Sequence, residues 1–118
     1  MKIINKTRET IIAENAIVGD HFFSKLRGLL FRRLLWSEFE AIYLKSVNSI
    51  HTIGLSSAID LIAIDQNGLI KDCRTIKPWR LYIGQRSIKG IIECPTETIK
   101  KARCEPGDQL IQLNGKGW

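Results

Sequence analysis

Short apolar segments separated by turn-forming residues make up most of the chain from residue 38 onward. They are rich in isoleucine, leucine and valine, which is typical of β-strands. These segments are residues 39–47, 48–54, 58–65, 69–76, 87–94 and 109–115. Residues 10–18 add a strand, or a strand pair interrupted at Glu14 and Asn15. Roughly six to nine short strands with two short helices predict a mainly β fold, either a small β-sandwich or a partly open barrel.

A helical spacing of apolar residues follows Asp20, which is a good N-cap. The pattern predicts a helix over about residues 20–32 that packs against the sheet, and Arg32 and Arg33 suit its negative C-terminal end. The apolar stripe of this helix consists of Phe22, Phe23, Leu26, Leu29 and Leu30. A second, short helix is predicted over about residues 97–104, and Pro106-Gly107 closes it.

The clearest hairpin runs from Ile59 to Ile76. Asn67-Gly68 stands between its two strands and supplies the positive-φ residues that a tight turn needs. Lys77-Pro78 follows, and the proline ring stops the strand that precedes it. The C-terminal NGKGW, in contrast, has the composition of a frayed tail, which predicts no fixed role for Trp118.

Length and composition indicate an ordinary globular protein. The chain has 118 residues, of which 44% are hydrophobic and 25% charged, so we expect one domain over residues 1–118. No window approaches the roughly 18 to 20 apolar residues of a membrane span. The N-terminal MKIINKTRETIIAENA has no apolar h-region or small-residue cleavage site, so a cytoplasmic location is expected.

Cysteine usage and charge narrow the classes of function. Cys73, Cys94 and Cys104 are odd in number and lack CxxC spacing, which predicts buried or half-buried free thiols rather than disulfides or a zinc site. No cofactor and no metal site are expected. The net charge of +6 permits attraction to nucleic acid, anionic lipid or an acidic partner. The basic residues are spread out and no run reaches five like charges, which favours a solvated surface.

One histidine and one aspartate stand in the apolar stretch 49–70. The connection 54–58 is short enough for a hairpin that places His51 or Thr52 opposite Asp60, depending on a one-residue register choice. Because a buried, unpaired carboxylate is costly, Asp60 must find donors. Two hypotheses follow. Asp60 accepts hydrogen bonds from Thr52, His51 or backbone N–H groups and fixes the register, or it orients His51 as a base or ligand at the mouth of a pocket.

The turn KPWR places an aromatic and a cationic side chain, Trp79 and Arg80, beside a proline. This pair suits a sugar, a base or a peptide, whereas the alternative is that Trp79 caps one end of the core. The predicted binding residues are His51, Thr52, Asp60, Trp79, Arg80 and Arg27; His51 and Asp60 are also the weak catalytic candidates.

The order of these features resembles a bacterial and archaeal family known as domain of unknown function 192. The resemblance covers about residues 10–113. It is carried by AENAIVGDHFFSKLRGLLFRR, IHTIGLSSAIDLIAID, KPWR, IIECP and EPGDQL. It implies a compact, mainly β fold with one packed helix, and it implies no activity.

Three positions depart from the pattern of that family. Leu55 stands where the family usually has a methionine, and Ala58 where it usually has a proline before the Ile-Asp pair. A glycine expected soon after Pro95 is replaced near Glu97.

Three functions remain open from the sequence. The first is a non-catalytic binding or accessory module for a protein or a saccharide-like ligand, with an open groove between residues 54–58 and the KPWR turn. The second is a small hydrolase that uses His51 and Asp60, which needs a nucleophile or metal beside the pair. The third is nucleic-acid binding, which needs basic residues gathered on one face with Trp79 or Tyr82 free to stack. The first is favoured, since no catalytic constellation is complete.

Overall fold

The computed structural model describes residues 1–19, 40–113 and 117–118. Within these residues the chain forms ten short strands and one short helix, α1, over Thr98–Ala102. The strands are β1 Ile3–Asn5, β2 Thr10–Ala13, β3 Ala16–Gly19, β4 Ala41–Lys45, β5 Ser49–His51, β6 Ile59–Ile64, β7 Ile70–Ile76, β8 Leu81–Ile83, β9 Gly90–Cys94 and β10 Leu110–Gln112. The mainly β class is confirmed. The helix predicted over about 20–32, with Arg27, lies outside the described residues.

The strands form three sheets. A central five-stranded sheet has the order β3-β4-β9-β6-β7, in which β3 and β4 are parallel and the other neighbours antiparallel. A three-stranded antiparallel sheet has the order β10-β1-β2, and β5 and β8 form a two-stranded antiparallel ribbon. The architecture is therefore sandwich-like, with the five-stranded sheet in the middle.

Each face of the central sheet has its own apolar core. On the first face, Ile62 and Ile92 pack with Ile3 and Leu110 of the three-stranded sheet and with Ala102 of α1. On the second face, alternate residues of the same strands pack against the ribbon; this cluster includes Leu61, Ile91, Ile50 and Tyr82. All six residues of β6 are buried because both of its faces are covered, which explains its nearly continuous apolar run.

The hairpin predicted from Ile59 to Ile76 is confirmed, since β6 and β7 are antiparallel neighbours. Its turn needs positive φ at Gly68, where φ is 82°, and Asn67 is not among the positive-φ residues. The Asp65 carboxylate accepts hydrogen bonds from the backbone N–H groups of Asn67 and Leu69 at 2.8 and 3.0 Å, which fixes the turn. Strand β7 ends at Ile76, before Pro78, as predicted.

The chain end differs from the prediction of a frayed tail. The Trp118 indole N–H donates to the Leu110 carbonyl at 3.2 Å, and its ring meets that of Tyr43 edge-on, with centroids 5.1 Å apart. Trp118 therefore has a fixed packing role. Among the residues that the structure describes, no helix is long and apolar enough to cross a membrane.

Candidate functional site

The predicted pairing of His51 or Thr52 with Asp60 is wrong. His51 pairs with Leu81 in the ribbon, whereas Asp60 pairs with Thr75 on one side and Cys94 on the other. Both edges of β6 are occupied by β7 and β9, so β5 has no edge of β6 left to join. The length of the connecting loop, on which the hairpin was predicted, contains no information on which strands occupy the edges of β6.

Asp60 is enclosed within the first face of the central sheet. Only 1% of Asp60 is exposed to solvent. One carboxylate oxygen accepts from the Thr75 hydroxyl at 2.7 Å, and the other accepts from the Ile99 backbone N–H of α1 at 3.0 Å. Asp60 thus joins β6, β7 and α1. Of the donors that the sequence suggested, backbone N–H is confirmed, and Thr75 takes the place expected of Thr52 or His51.

Three free thiols lie on the same side of the molecule as Asp60. Cys94 and Cys104 are buried, Cys73 is half-buried, and all three are reduced. Burial, followed by the charge of Asp60, raises the pKa of Cys94 well above its usual value. Burial also raises the pKa of both Cys73 and Cys104 to about 11. Because the thiolate is the reactive form, these are inert core thiols at neutral pH.

His51 lies elsewhere, on the outer side of the ribbon. The residue is exposed, and its Nδ1 accepts a hydrogen bond from the Ile53 backbone N–H at 3.3 Å. Since Asp60 points into the opposite core, the structure does not bring the two catalytic candidates together.

Thr52 joins the end of β5 to the KPWR turn. Its hydroxyl donates to the Lys77 carbonyl at 2.7 Å and accepts from the Arg80 N–H at 2.8 Å. Its backbone accepts from the Trp79 N–H at 2.9 Å and donates to the Arg80 carbonyl at 2.8 Å. Thr52 is fully buried, and its hydroxyl is hydrogen-bonded to the backbone of the turn, as is usual for a buried polar group.

Trp79 is held in an exposed and strained position by this turn. Its φ is 61°, a left-handed conformation that is unusual for a bulky residue, and 64% of it is exposed. The prediction that it could cap the core is therefore wrong. Three other large apolar residues stand exposed on β8 or just after the end of β5. Together they form what we call the ribbon surface: Ile53, Trp79, Leu81 and Ile83, which are 54, 64, 69 and 73% exposed.

Two concave regions open between β7 and β8, beside this surface. Their volumes are about 470 and 310 Å³, and both are lined by Arg74, Leu81 and Tyr82. We call them together the β7–β8 cleft. Residues 54–58 line neither of these two regions. The β7–β8 cleft is therefore not the groove predicted between residues 54–58 and the KPWR turn, although its smaller region reaches Lys77 and Arg80 of that turn.

A buried tyrosine and an ion pair form the floor of the cleft. The Tyr82 hydroxyl donates to Asp72 at 2.8 Å, and Arg74 pairs with the same carboxylate at 2.8 Å. The Arg74 guanidinium also lies 5.5 Å from the centroid of the Tyr82 ring, a cation–π contact. Burial and the hydrogen bond to Asp72 raise the pKa of Tyr82 to about 12, so it remains a neutral donor. Sequence reasoning missed this group, although the alternation of Asp72 and Arg74 on one strand face was a usable signal.

Basic side chains surround the cleft. Lys71 and Arg74 line its larger region, and Arg74, Lys77 and Arg80 line the smaller one. Asp72 is the acidic residue in these linings, and it is already paired. The cleft therefore has an excess of positive charge beside an exposed apolar surface.

Two solved structures share this fold. A candidate transcription regulator from Sinorhizobium meliloti superposes with a TM-score of 0.72 at 17% identity, covering 93% of this chain and 89% of that one. A protein of unknown function from Novosphingobium aromaticivorans gives a TM-score of 0.70 at 11% identity, covering 94 and 82% of the two chains. At these identities the likeness concerns the fold alone.

No family model matches the sequence, whereas individual relatives do. A UPF0127 protein of Thermococcus sibiricus is 29% identical over 92% of this chain and 72% of its own length. One of Pyrococcus horikoshii is 29% identical over 92 and 96% of the two chains. One of Pyrococcus furiosus is 31% identical over 110 residues, which are 92% of this chain and 95% of that relative. With such similarity along nearly the whole length of both proteins, this chain belongs to the UPF0127 family.

Proposed function

We propose that this protein is a non-catalytic binding module that takes a partner protein or a saccharide-like ligand at the ribbon surface and the β7–β8 cleft. The observation that carries the proposal is Trp79, a large aromatic residue held exposed and at positive φ in a turn that is hydrogen-bonded to Thr52. A left-handed conformation costs an ordinary residue about 1 kcal/mol or more. Such strain, kept where an aromatic side chain faces outward, favours a role in recognition.

The neighbouring residues support the same function. Exposed apolar residues that cluster, rather than occur singly, mark interaction sites on soluble proteins. Leu81 and Ile83 extend the apolar area from Trp79 along β8, and the cleft gives it a concave side. Aromatic and arginine residues at such a place are the side chains that most often anchor binding.

A hydrolase that uses His51 and Asp60 is not supported. A nucleophile–base arrangement requires side chains within hydrogen-bond reach of one another. Asp60 is occupied by Thr75 and Ile99, and His51 is on the ribbon. We therefore place His51 with the binding surface and give Asp60 a structural role.

Nucleic-acid binding is a second candidate, because Lys71, Arg74, Lys77 and Arg80 gather around the cleft. Trp79 is exposed enough to stack on a base, whereas Tyr82 is only 6% exposed. The described structural neighbour from S. meliloti, named as a candidate transcription regulator, adds a reason to test it. Affinity for an oligonucleotide that falls steeply with salt would be its signature.

The proposal includes three expectations that rest on the sequence. We propose that residues 1–118 act as one domain and that the protein works in the cytoplasm, where its three free thiols would stay reduced. We also propose that it belongs with the family of domain of unknown function 192, whose motifs it resembles.

Surface variants test the proposed function. The double variant Trp79→Ser/Leu81→Ser removes two anchors from the ribbon surface, and Ile11→Ser/Leu113→Ser removes two exposed apolar residues elsewhere. Thermal-shift screening of saccharides and peptides, followed by nitrogen-15 NMR titration of any hit, should show shifts at residues 74–83 in the wild type. We expect binding to be lost in the first variant and retained in the second. Hits that map away from these residues, or no hit at all, would contradict the proposal.

A further inference from the structure

We infer that the ligand of the cleft is an extended acidic segment of a partner protein, which adds as a strand to the open edge of β7. This inference rests on the proposed function and names the partner for the same site. It follows from three features of β7: its place in the sheet, the charge beside it and the apolar side chains opposite.

Among the strands that the structure describes, β7 is the last one of the central sheet. Its outer edge is closed at Ile70, whose N–H donates to the Asp108 carbonyl and whose carbonyl accepts from the Gly107 N–H, both at 2.8 Å. From residue 71 to residue 76, β7 has no backbone hydrogen bond within the described part of the chain except to β6. At about 3.4 Å per residue this open edge is about 20 Å long, enough to pair with a strand of ordinary length.

The cleft lies along this open edge. Its larger region spans from Lys71 on β7 to Ile83 on β8, and its smaller region continues past Ile76 to Arg80. A chain lying there would meet free backbone donors and acceptors on one side and the β8 side chains on the other. Strand addition of this kind takes its affinity from the backbone and its specificity from alternate side chains.

The charge of the cleft selects an acidic segment. Lys71, Lys77 and Arg80 have no carboxylate partner within the described residues, and Arg74 shares Asp72 with Tyr82. Carboxylates at alternate positions of an added strand would face these cations. A second copy of this chain would instead bring like charges together, which opposes pairing of the two clefts.

The apolar side chains favour a peptide over a nucleic acid. Leu81 and Ile83 are aliphatic and mostly exposed, and they offer apolar contact area to the aliphatic side chains of an added strand. The aromatic ring inside the cleft, Tyr82, is covered by Arg74 and offers little surface for base stacking. The open edge of a strand pairs with regularly spaced N–H and C=O groups, which a peptide backbone has and a nucleic-acid backbone lacks.

The test uses a fluorescent eight-residue peptide of alternating glutamate and valine, and the full-length protein. The control peptide has the same sequence with every backbone N–H methylated, which keeps the charge and side chains but removes the donors. Fluorescence anisotropy should show binding of the first peptide that weakens with salt, and at least about tenfold weaker binding of the second. Nitrogen-15 NMR shifts on titration should centre on residues 71–76.

Charge variants complete the test. Lys77→Glu/Arg80→Glu reverses two charges at the cleft, whereas Lys100→Glu/Lys101→Glu makes the same change in net charge on α1. We expect about tenfold or greater loss of peptide affinity in the first variant and little change in the second. Equal loss in both would show attraction by net charge alone and would overturn the inference.

Five other results would also overturn it. Equal binding of the two peptides would exclude strand addition. Preference for a single-stranded oligonucleotide at residues 71–83 would assign the cleft to nucleic acid, and a dimer seen by light scattering that covers β7 would assign it to a second copy. Binding of a saccharide but not the peptide at the same residues would overturn the inference and leave the proposed function standing. If no ligand shifts residues 71–83, both fail.

Discussion

Asp60 and Thr52 are both buried polar residues in apolar sequence, yet they serve opposite parts of the molecule. Asp60 closes the first face of the central sheet by tying β6 to β7 and α1. Thr52 lies on the second face and fastens a turn whose next residues point outward. The Asp60 carboxylate has its partners inside the core, whereas the Thr52 hydroxyl bonds to Lys77 and Arg80 of the turn that exposes Trp79.

This contrast separates two meanings of a polar residue on an apolar strand. A buried group whose hydrogen bonds all end within the core stabilises the fold, because its removal leaves its partners unpaired. A buried group that fixes a strained, exposed turn indicates a binding role, because the strained residue of that turn is not packed in the core. Two predictions test whether the two residues differ in this way, and a third, with the smallest expected effect, tests the backbone strain at Glu97.

The largest effect is expected from Asp60→Ala. It leaves the Ile99 N–H and the Thr75 hydroxyl without their acceptor, which should lower the free energy of unfolding by about 2–4 kcal/mol. The melting temperature should fall by about 10 °C, and ligand binding at the cleft should be unchanged at temperatures where the variant is folded. Thr75→Val, which removes one partner only, should have a smaller effect. A variant of Asp60 as stable as the wild type would contradict its structural role.

A smaller loss of stability and a clear loss of binding are expected from Thr52→Val. The substitution keeps the shape of the side chain but leaves the Lys77 carbonyl and the Arg80 N–H unpaired, at a cost of about 1–2 kcal/mol. The loosened turn should also weaken binding of the acidic peptide, measured by anisotropy. Thr52→Ser keeps the hydroxyl and serves as the control. Unchanged binding in Thr52→Val would remove the link between this residue and recognition.

The smallest effect, and a stabilising one, is expected from Glu97→Gly. Glu97 precedes α1 with φ of 77°, and it stands near the place where the resemblance to the family leads one to expect a glycine. Glycine tolerates positive φ, so the variant should gain up to about 1 kcal/mol and melt about 2–4 °C higher. Glu97→Ala keeps the strain and should gain nothing. Equal melting temperatures for the two variants would show that backbone strain is not the cause.

Local chemistry made several elements predictable. The β6–β7 hairpin follows from two apolar runs around Asn67-Gly68, and the end of β7 follows from Pro78, because turn and proline geometry depend on neighbouring residues only. The short helix was predicted over about 97–104 and is found over Thr98–Ala102. Two of the thiols are buried and Cys73 is half-buried, as their number and spacing led one to expect.

The sequence by itself determined the mainly β class, most strand positions and the candidate residues of the KPWR turn. The tertiary structure alone decided which strands are neighbours, and with them the fate of His51 and Asp60. Strand pairing is a competition between edges that lie far apart along the chain: β6 pairs with β7 and β9, and β5 is left to β8. A local pattern contains alternation and turns, but it contains no information on which edge is already taken.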